Sequence, residues 1–533
     1  MYTKFVLLLL ISSTVACQQQ KNGQIQNNAS DSLQRATESA RQVAGNFSAQ
    51  TTIKFDSVQL EKFFNEYTAV SSYKKDMIQF YKGRNFAFAW YDGKGQIEQA
   101  SHLYNRIKNL SEDGLSVKIP YEGVLDSLMG TLETTNKSEQ IETELLLTAF
   151  YFYYAEKVWA GMDEKMTKQI DWYLPRKKIS YDKWLDSLLQ SPQGFNGATE
   201  PLFRQYHLLK QFLAKYKAIE QNAWSIIKAD KKSYRLDDSA AIIVDIRKRL
   251  FALDDLKADT TSNKFDANLE AAVKNFQQRN GIKNDGIIGQ AMIAEMNVPV
   301  NKRIEQIIIN MERSRWLPVD VKGDYLAVNI PEFTLHAYKD DSLIWDMNVV
   351  VGKSVNKTVI FSGDLKYVVF SPYWNVPASI LKSEVLPGIR RNKNYLARHH
   401  MEWNGNSVRQ KPGPWNSLGA VKFLFPNSFS IYLHDTPSKN LFKEDKRAFS
   451  HGCIRVAEPK KLAMYLLRYD PQWNEKAVTQ AMNSGKEQYV TLKKSVPVFI
   501  TYFTSWVDRQ GNLNFRNDVY NRDSRLAEMI FKD

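Results

Sequence analysis

The period of the apolar residues changes once along this chain, at "NMERSRWLP" (Asn310 to Pro318), and that change limits what each part can fold into. Before it, apolar residues recur at steps of three and four. Leu202, Tyr206, Leu209, Leu213 and Tyr216 share one helical face, and "TELLLTAFYFYYAEKVW" (Thr143 to Trp159) reads as an apolar, aromatic helix. After it, "YLAVNIPEFTLHAYKDDSLIWDMNVVVG" (Tyr325 to Gly352) is interrupted at Pro331 and at the polar turn Lys339 to Ser342, with β-branched residues near Val349 to Val351. "DLKYVVFSPYW", "FSIYLHDT" and "VPVFITYF" add further strand candidates. Helices followed by strands predict a multidomain α+β protein. With 533 residues, 43% of them hydrophobic and 12% aromatic, the chain can bury several cores.

The N-terminus restricts the compartment. Lys4 precedes the apolar run Phe5 to Ile11 and then "STVAC", which reads as an export signal because seven apolar residues are too few to span a bilayer. Val15-Ala16-Cys17 resembles a bacterial lipobox, in which the signal (1–16) is removed and Cys17 is acylated. Thr14 stands where leucine is usual. Residues 17–52, rich in Gln, Asn, Ser and Ala, read as a flexible tether. The expectation is a cell-envelope protein on the periplasmic side, held to the membrane by an N-terminal lipid. Cys453 is then a lone thiol in an oxidising compartment, which suggests a task.

Residues 53–236 read as a helical domain. In the next segment, Leu269, Val273 and Phe276 lie on one helical face, Gly281 stops that helix and "NDGIIG" turns into a second one. Ala272-Val273, Phe276-Gln277, Gly281, Asp285-Gly286 and Ile288-Gly289 fill a pattern that resembles the three-helix peptidoglycan-binding-like domain. This places that module at 237–298, with most of the matching residues structural. Residues 322–508 read as a mainly β domain, followed by a C-terminal tail at 509–533. Its polar insertion at about 378–418 suggests a capping loop near a site.

The chemistry concentrates in "HDTPSKNLFKEDKRAFSHGCIRV" (His434 to Val456). Strand alternation puts Ser430, Tyr432 and His434 on one face and Phe429, Ile431 and Leu433 on the other. Taken alone, His434 is a histidine at a strand end. Nineteen residues on stands Cys453, preceded by Ser450, His451 and Gly452. An imidazole can take the thiol proton and stabilise the thiolate as an ion pair. Gly452 would allow the sharp turn that presents the Cys453 amide to an oxyanion.

His434, Ser450, His451, Gly452 and Cys453 match in order the signature of the L,D-transpeptidase family with the YkuD-type catalytic domain. "VVVGK", "FSPYWNVP", "GPWNSLGAVKFLFPN" and "RAFSHGCIRV" resemble its larger, multidomain branch, so the helical region resembles that branch's scaffold domain. The resemblance implies a cysteine acyltransferase that forms 3→3 peptidoglycan cross-links. Cys453 would attack a tetrapeptide stem, release D-alanine and pass the acyl group to a second stem. It further implies His434 as base, with His451 assisting or exchanging roles, and Gly452 and Ser450 as oxyanion and loop residues. Arg455 would bind a substrate carboxylate or pair within the loop. Tyr373 and Trp374 are donor-groove candidates, with core packing as their alternative. The partners implied are donor and acceptor stem peptides, no cofactor is implied, and the thiol is expected to be a carbapenem target.

Rival readings have less support. A zinc site of His434, His451 and Cys453 lacks a CxxC pair, an HExxH motif or a convincing fourth ligand. Papain-like and NlpC/P60-type peptidases place the nucleophile before its histidine, and sortases space the pair differently. The same site could serve L,D-carboxypeptidase activity or attachment of protein to peptidoglycan. A non-enzymatic reading is a lipid-anchored peptidoglycan-binding protein. The net charge of +14 alone would allow nucleic acid, which the export signal argues against.

Overall fold

The helix Lys137–Tyr154 is buried continuously from Thr143 to Tyr154, as its unbroken apolar and aromatic run requires. In the computed structural model, which describes residues 53–130, 136–191, 200–221, 225–257 and 259–531, it belongs to the first of two compact units. That unit takes the described parts of Met1–Asn109, Val117–Glu156 and Ile179–Glu200. Its buried polar anchor is Glu144, whose carboxylate accepts the amide N–H groups of Ala89 (2.5 Å) and Trp90 (2.9 Å) and the Tyr81 hydroxyl (2.7 Å). Burial pushes the Glu144 carboxyl up to about 7. The signal, the tether and Cys17 lie outside the described residues, and no described helix is long and apolar enough to cross a membrane.

The second unit takes Leu110–Ser116, Lys157–Lys178 and Pro201–Asp533, so the helical domain expected over 53–236 does not coincide with one unit. The reason is pairing with distant chain: Trp172–Tyr173 adds in parallel to Ile360–Phe361, and the helix Arg204–Glu220 packs on the helix Val300–Trp316. Asp113 accepts the Tyr206 hydroxyl at 2.5 Å, and its carbonyl accepts from Arg315 at 2.8 Å.

The peptidoglycan-binding-like segment has a core of its own, including Leu250, Leu269, Val273, Phe276 and Met292. Asp266 caps the helix Ala267–Arg279 by accepting the Leu269 N–H at 2.9 Å. Gln277 donates to Asp285 (3.0 Å) and accepts from the Gly286 N–H (2.8 Å), so these motif residues brace the turn.

The β region closes on itself. The strand order runs Val421–Leu424, Leu433–His434, Ile454–Val456, Ser342–Gly352, Thr334–Lys339, Asp324–Asn329, Gln488–Thr501 and Ile360–Phe370. Ile360–Phe370 then pairs back with Val421–Leu424 to complete a ring. Val349, Val351, Val421, Phe423, Leu433, Ile454 and Val456 are buried in its core. The expected tail is instead structural: Leu513–Phe515 pairs with Ser505–Val507, and the helix Arg522–Ile530 buries Leu526 in the same core. The insertion builds a small sheet from Trp374–Asn375, Ser407–Gln410 and Met401–Asn404. Its separate apolar cluster is Val376, Ile380, Val385 and Val408.

Candidate active site

The register of three short strands assembles the site. Leu433–His434 runs parallel to Ile454–Val456 with His434 opposite Arg455, and antiparallel to Val421–Leu424 with His434 opposite Lys422. Side chains at one level of a sheet share a face and alternate along each strand. Tyr432, His434, Cys453, Arg455 and Lys422 therefore occupy one face, while Leu433, Ile454, Val456 and Phe423 fill the core on the other. The sequence alternation places His434 away from the apolar set, as observed, but an outward histidine does not result. His434 is only 5% exposed, flanked in register by Lys422 and Arg455 from the two neighbouring strands.

His434 Nδ1 lies 2.5 Å from the Asp435 carbonyl oxygen. A carbonyl only accepts, so Nδ1 carries the proton and Nε2 keeps its lone pair. Burial first, then the nearby Arg455 and Lys439 cations, lower the His434 pKa to about 3. The Asp435 carboxylate is itself fully engaged, accepting from Ala420 N–H (2.8 Å), Thr436 N–H (2.7 Å) and Lys439. Gly419, at φ +61°, makes room for it, since a Cβ there would stand 2.4 Å from the carboxylate carbon.

Cys453 is half-buried, and its thiol points to the Ser430 carbonyl at 3.6 Å. Burial raises its pKa, opposed by hydrogen bonds from the Tyr432 backbone and hydroxyl and by the Arg455 charge. The resting pair is thus a neutral thiol and a neutral imidazole, not the thiolate–imidazolium pair that the residue types alone suggest. Ser450 Oγ donates to the Cys453 carbonyl (2.5 Å) and accepts the Gly452 N–H (3.1 Å). Gly452 adopts φ +118°, a conformation that favours glycine.

The remaining candidates divide. His451 is exposed and pairs through Nε2 with Glu384 Oε1 of the capping insertion at 3.1 Å. Arg455 Nε is buried without a hydrogen-bond partner. Trp374 packs against the capping cluster, and Tyr373 lies beneath the Arg409 guanidinium at 4.2 Å, with its N–H donated to Glu487. Among the described residues, no group of three or more His, Cys, Asp and Glu is arranged to hold a metal ion.

Sequence reasoning missed Tyr432 as a site residue, although alternation already put it beside His434. It also missed Lys422, a lone lysine in the apolar run "AVKFLF", whose Nζ lies 3.6 Å from Glu487 and whose pKa burial lowers. No local signal marks Glu384.

Comparison with known proteins gives family matches over three segments of the chain. Residues 323–480 match the YkuD family, described as the L,D-transpeptidase catalytic domain. Residues 75–213 match a scaffold domain, and 239–296 match the family described as "Putative peptidoglycan binding domain". The β region therefore contains an L,D-transpeptidase catalytic domain of the YkuD family. The scaffold and peptidoglycan-binding matches precede it in the chain. A Haemophilus influenzae protein named "Putative L,D-transpeptidase" is 31% identical over 254 residues, 43% of this chain and 51% of that protein, so the chain spans about half of its length. Solved structures it resembles include an L,D-transpeptidase from Stackebrandtia nassauensis (15% identity, 51% of this chain, 97% of that chain, TM-score 0.23). Another is from Xylanimonas cellulosilytica (12% identity, 51% of this chain, 100% of that chain, TM-score 0.18).

Proposed function

We propose that this chain is a cysteine L,D-transpeptidase that forms 3→3 cross-links in peptidoglycan. The observation that carries the reading is one sheet face, inside a YkuD-type domain, that gathers a thiol, a histidine with a free Nε2 and an arginine with an unpartnered Nε. His434 Nε2 takes the Cys453 proton as sulfur attacks the carbonyl of the third residue of a tetrapeptide stem. The developing oxyanion is met by a backbone amide of the Gly452 turn. When the intermediate collapses, the carbon–nitrogen bond to terminal D-alanine breaks and the amine leaves with the proton from His434. The amine of a second stem then forms a new carbon–nitrogen bond, the carbon–sulfur bond breaks, and its proton restores the thiol. Arg455 would hold a donor carboxylate. An N-terminal lipid on Cys17 would keep the enzyme at the membrane surface of the envelope.

Mass spectrometry of disaccharide-tetrapeptide muropeptides incubated with the protein tests this, with Cys453→Ala alongside. A dimer that has lost one D-alanine, absent with the variant, is the expected product. Tripeptide monomer alone would indicate an L,D-carboxypeptidase. Turnover by Cys453→Ala would remove Cys453 as nucleophile, and no product with either protein would favour a peptidoglycan-binding role.

A further inference from the structure

Thr358 is fully buried in the connection between the strands Ser342–Gly352 and Ile360–Phe370. Its hydroxyl accepts the Gly352 N–H at 2.9 Å and donates to the Gly452 carbonyl at 2.8 Å. The Thr358 N–H donates to the Tyr520 hydroxyl at 3.3 Å, and that hydroxyl donates to the Gly352 carbonyl at 2.5 Å. These four bonds tie the end of one strand and a tyrosine near the C-terminus to the turn that carries Cys453. The packing leaves no slack: a Cβ on Gly352 would stand 2.1 Å from the Asn356 carbonyl oxygen and 3.1 Å from Gly452 Cα.

The direction of these bonds has a chemical meaning. In a trans peptide the C=O and N–H lie in one plane and point in opposite directions. Holding the Gly452 carbonyl on Thr358 therefore aims the Cys453 N–H away from Thr358. Ser450 already occupies the Gly452 N–H, whereas the Cys453 N–H has no acceptor among the described residues. We propose that Thr358, braced by Tyr520, is a positioning residue that aims the Cys453 amide at the oxyanion formed during acyl transfer. The inference rests on Cys453 being the acylated atom, as in the proposed function, but not on which donor supplies the acyl group.

Two reactions of the same sulfur separate this role from mere support. Acylation by p-nitrophenyl acetate forms a carbon–sulfur bond while the carbonyl electron pair moves onto oxygen. Collapse of that oxyanion expels p-nitrophenolate. Alkylation by iodoacetamide displaces iodide from a saturated carbon and creates no oxyanion. Loss of an oxyanion donor costs about 10²–10³-fold, and misaiming one should cost less. In the full chain, Thr358→Val should slow acylation by about 10- to 100-fold and leave alkylation within about twofold. Thr358→Ser should restore acylation. Tyr520→Phe should show the same selective loss to a smaller extent, and it carries the test if Thr358→Val fails to fold. Equal slowing of both reactions, or unchanged acylation, would overturn the proposal. A wild-type protein that is acylated by the ester yet yields no muropeptide dimer would instead remove the transpeptidase reading and leave this one standing.

Discussion

His434 donates its Nδ1 proton to the backbone carbonyl of the very next residue, Asp435, at 2.5 Å. The carboxylate of Asp435 is turned elsewhere, onto Ala420, Thr436 and Lys439. The tautomer is thus set by a neutral acceptor, which fixes the ring and favours its protonated form, but burial and the Arg455 charge outweigh it. His434→Ala should lower acyl transfer by about 10²–10⁴-fold, the usual worth of a general acid–base group. Single-turnover measurement of D-alanine release checks this, and an unchanged rate would move the proton-handling role to His451.

The neutral resting pair predicts a pH profile. Burial raises the Cys453 pKa and holds that of His434 down at about 3, so the thiolate fraction rises only as pH climbs through and beyond the ordinary thiol range. Alkylation by iodoacetamide should therefore be slow at pH 7 and accelerate steadily towards pH 9. A rate already at its plateau at pH 5 would reveal a preformed thiolate–imidazolium pair and contradict this electrostatic description.

Gly419 couples backbone conformation to His434 through Asp435. At φ +61°, with the Asp435 carboxylate where a Cβ would go, Gly419→Ala combines left-handed strain with a steric clash. We expect a loss of about 1–3 kcal/mol in denaturant unfolding. Acyl transfer should also fall, because moving Asp435 displaces the carbonyl that orients His434. Full activity in a destabilised variant would separate the two.

The His451–Glu384 pair joins the turn that carries Cys453 to the insertion, and both side chains are substantially exposed. An exposed pair contributes about 0–1 kcal/mol and is screened by salt. Glu384→Gln should leave the unfolding midpoint unchanged while speeding limited proteolysis within 381–400. About 1 M salt, with its Debye length of roughly 3 Å, should have the same effect on the wild type. Proteolysis indifferent to both changes would mean that the apolar cluster of Val376, Ile380, Val385 and Val408 alone holds the insertion.

Legibility in the sequence followed the range of the interactions. Cys453 and His434 stand out because a thiol, two histidines and a glycine fall within one short stretch, and the side of the strand that His434 takes follows from alternation. The burial of His434 did not follow, since it depends on Lys422 and Arg455 arriving from separate strands. Thr358 meets Gly452, and Tyr520 meets Thr358 and Gly352, only through the closed fold, and nothing near them in the chain points there. The C-terminal segment reads as a tail because Leu513, Phe515, Tyr520 and Leu526 are spread too thinly among polar residues to show a period, yet all four are buried.

The closed ring also dictates a timetable. Gln488–Thr501 pairs in parallel with Asp324–Asn329, and Asn329 bonds to Phe503, 174 positions away. Contacts of that separation make folding slow. During synthesis the helical unit has all of its chain once Glu200 is made, whereas the ring stays open until Thr501 has followed. In that interval Asp324–Asn329 and Ile360–Phe370 each lack a neighbour, and unpaired edges of this kind are templates for aggregation. The late-arriving strand therefore sets the interval during which a newborn chain is most exposed to misassembly.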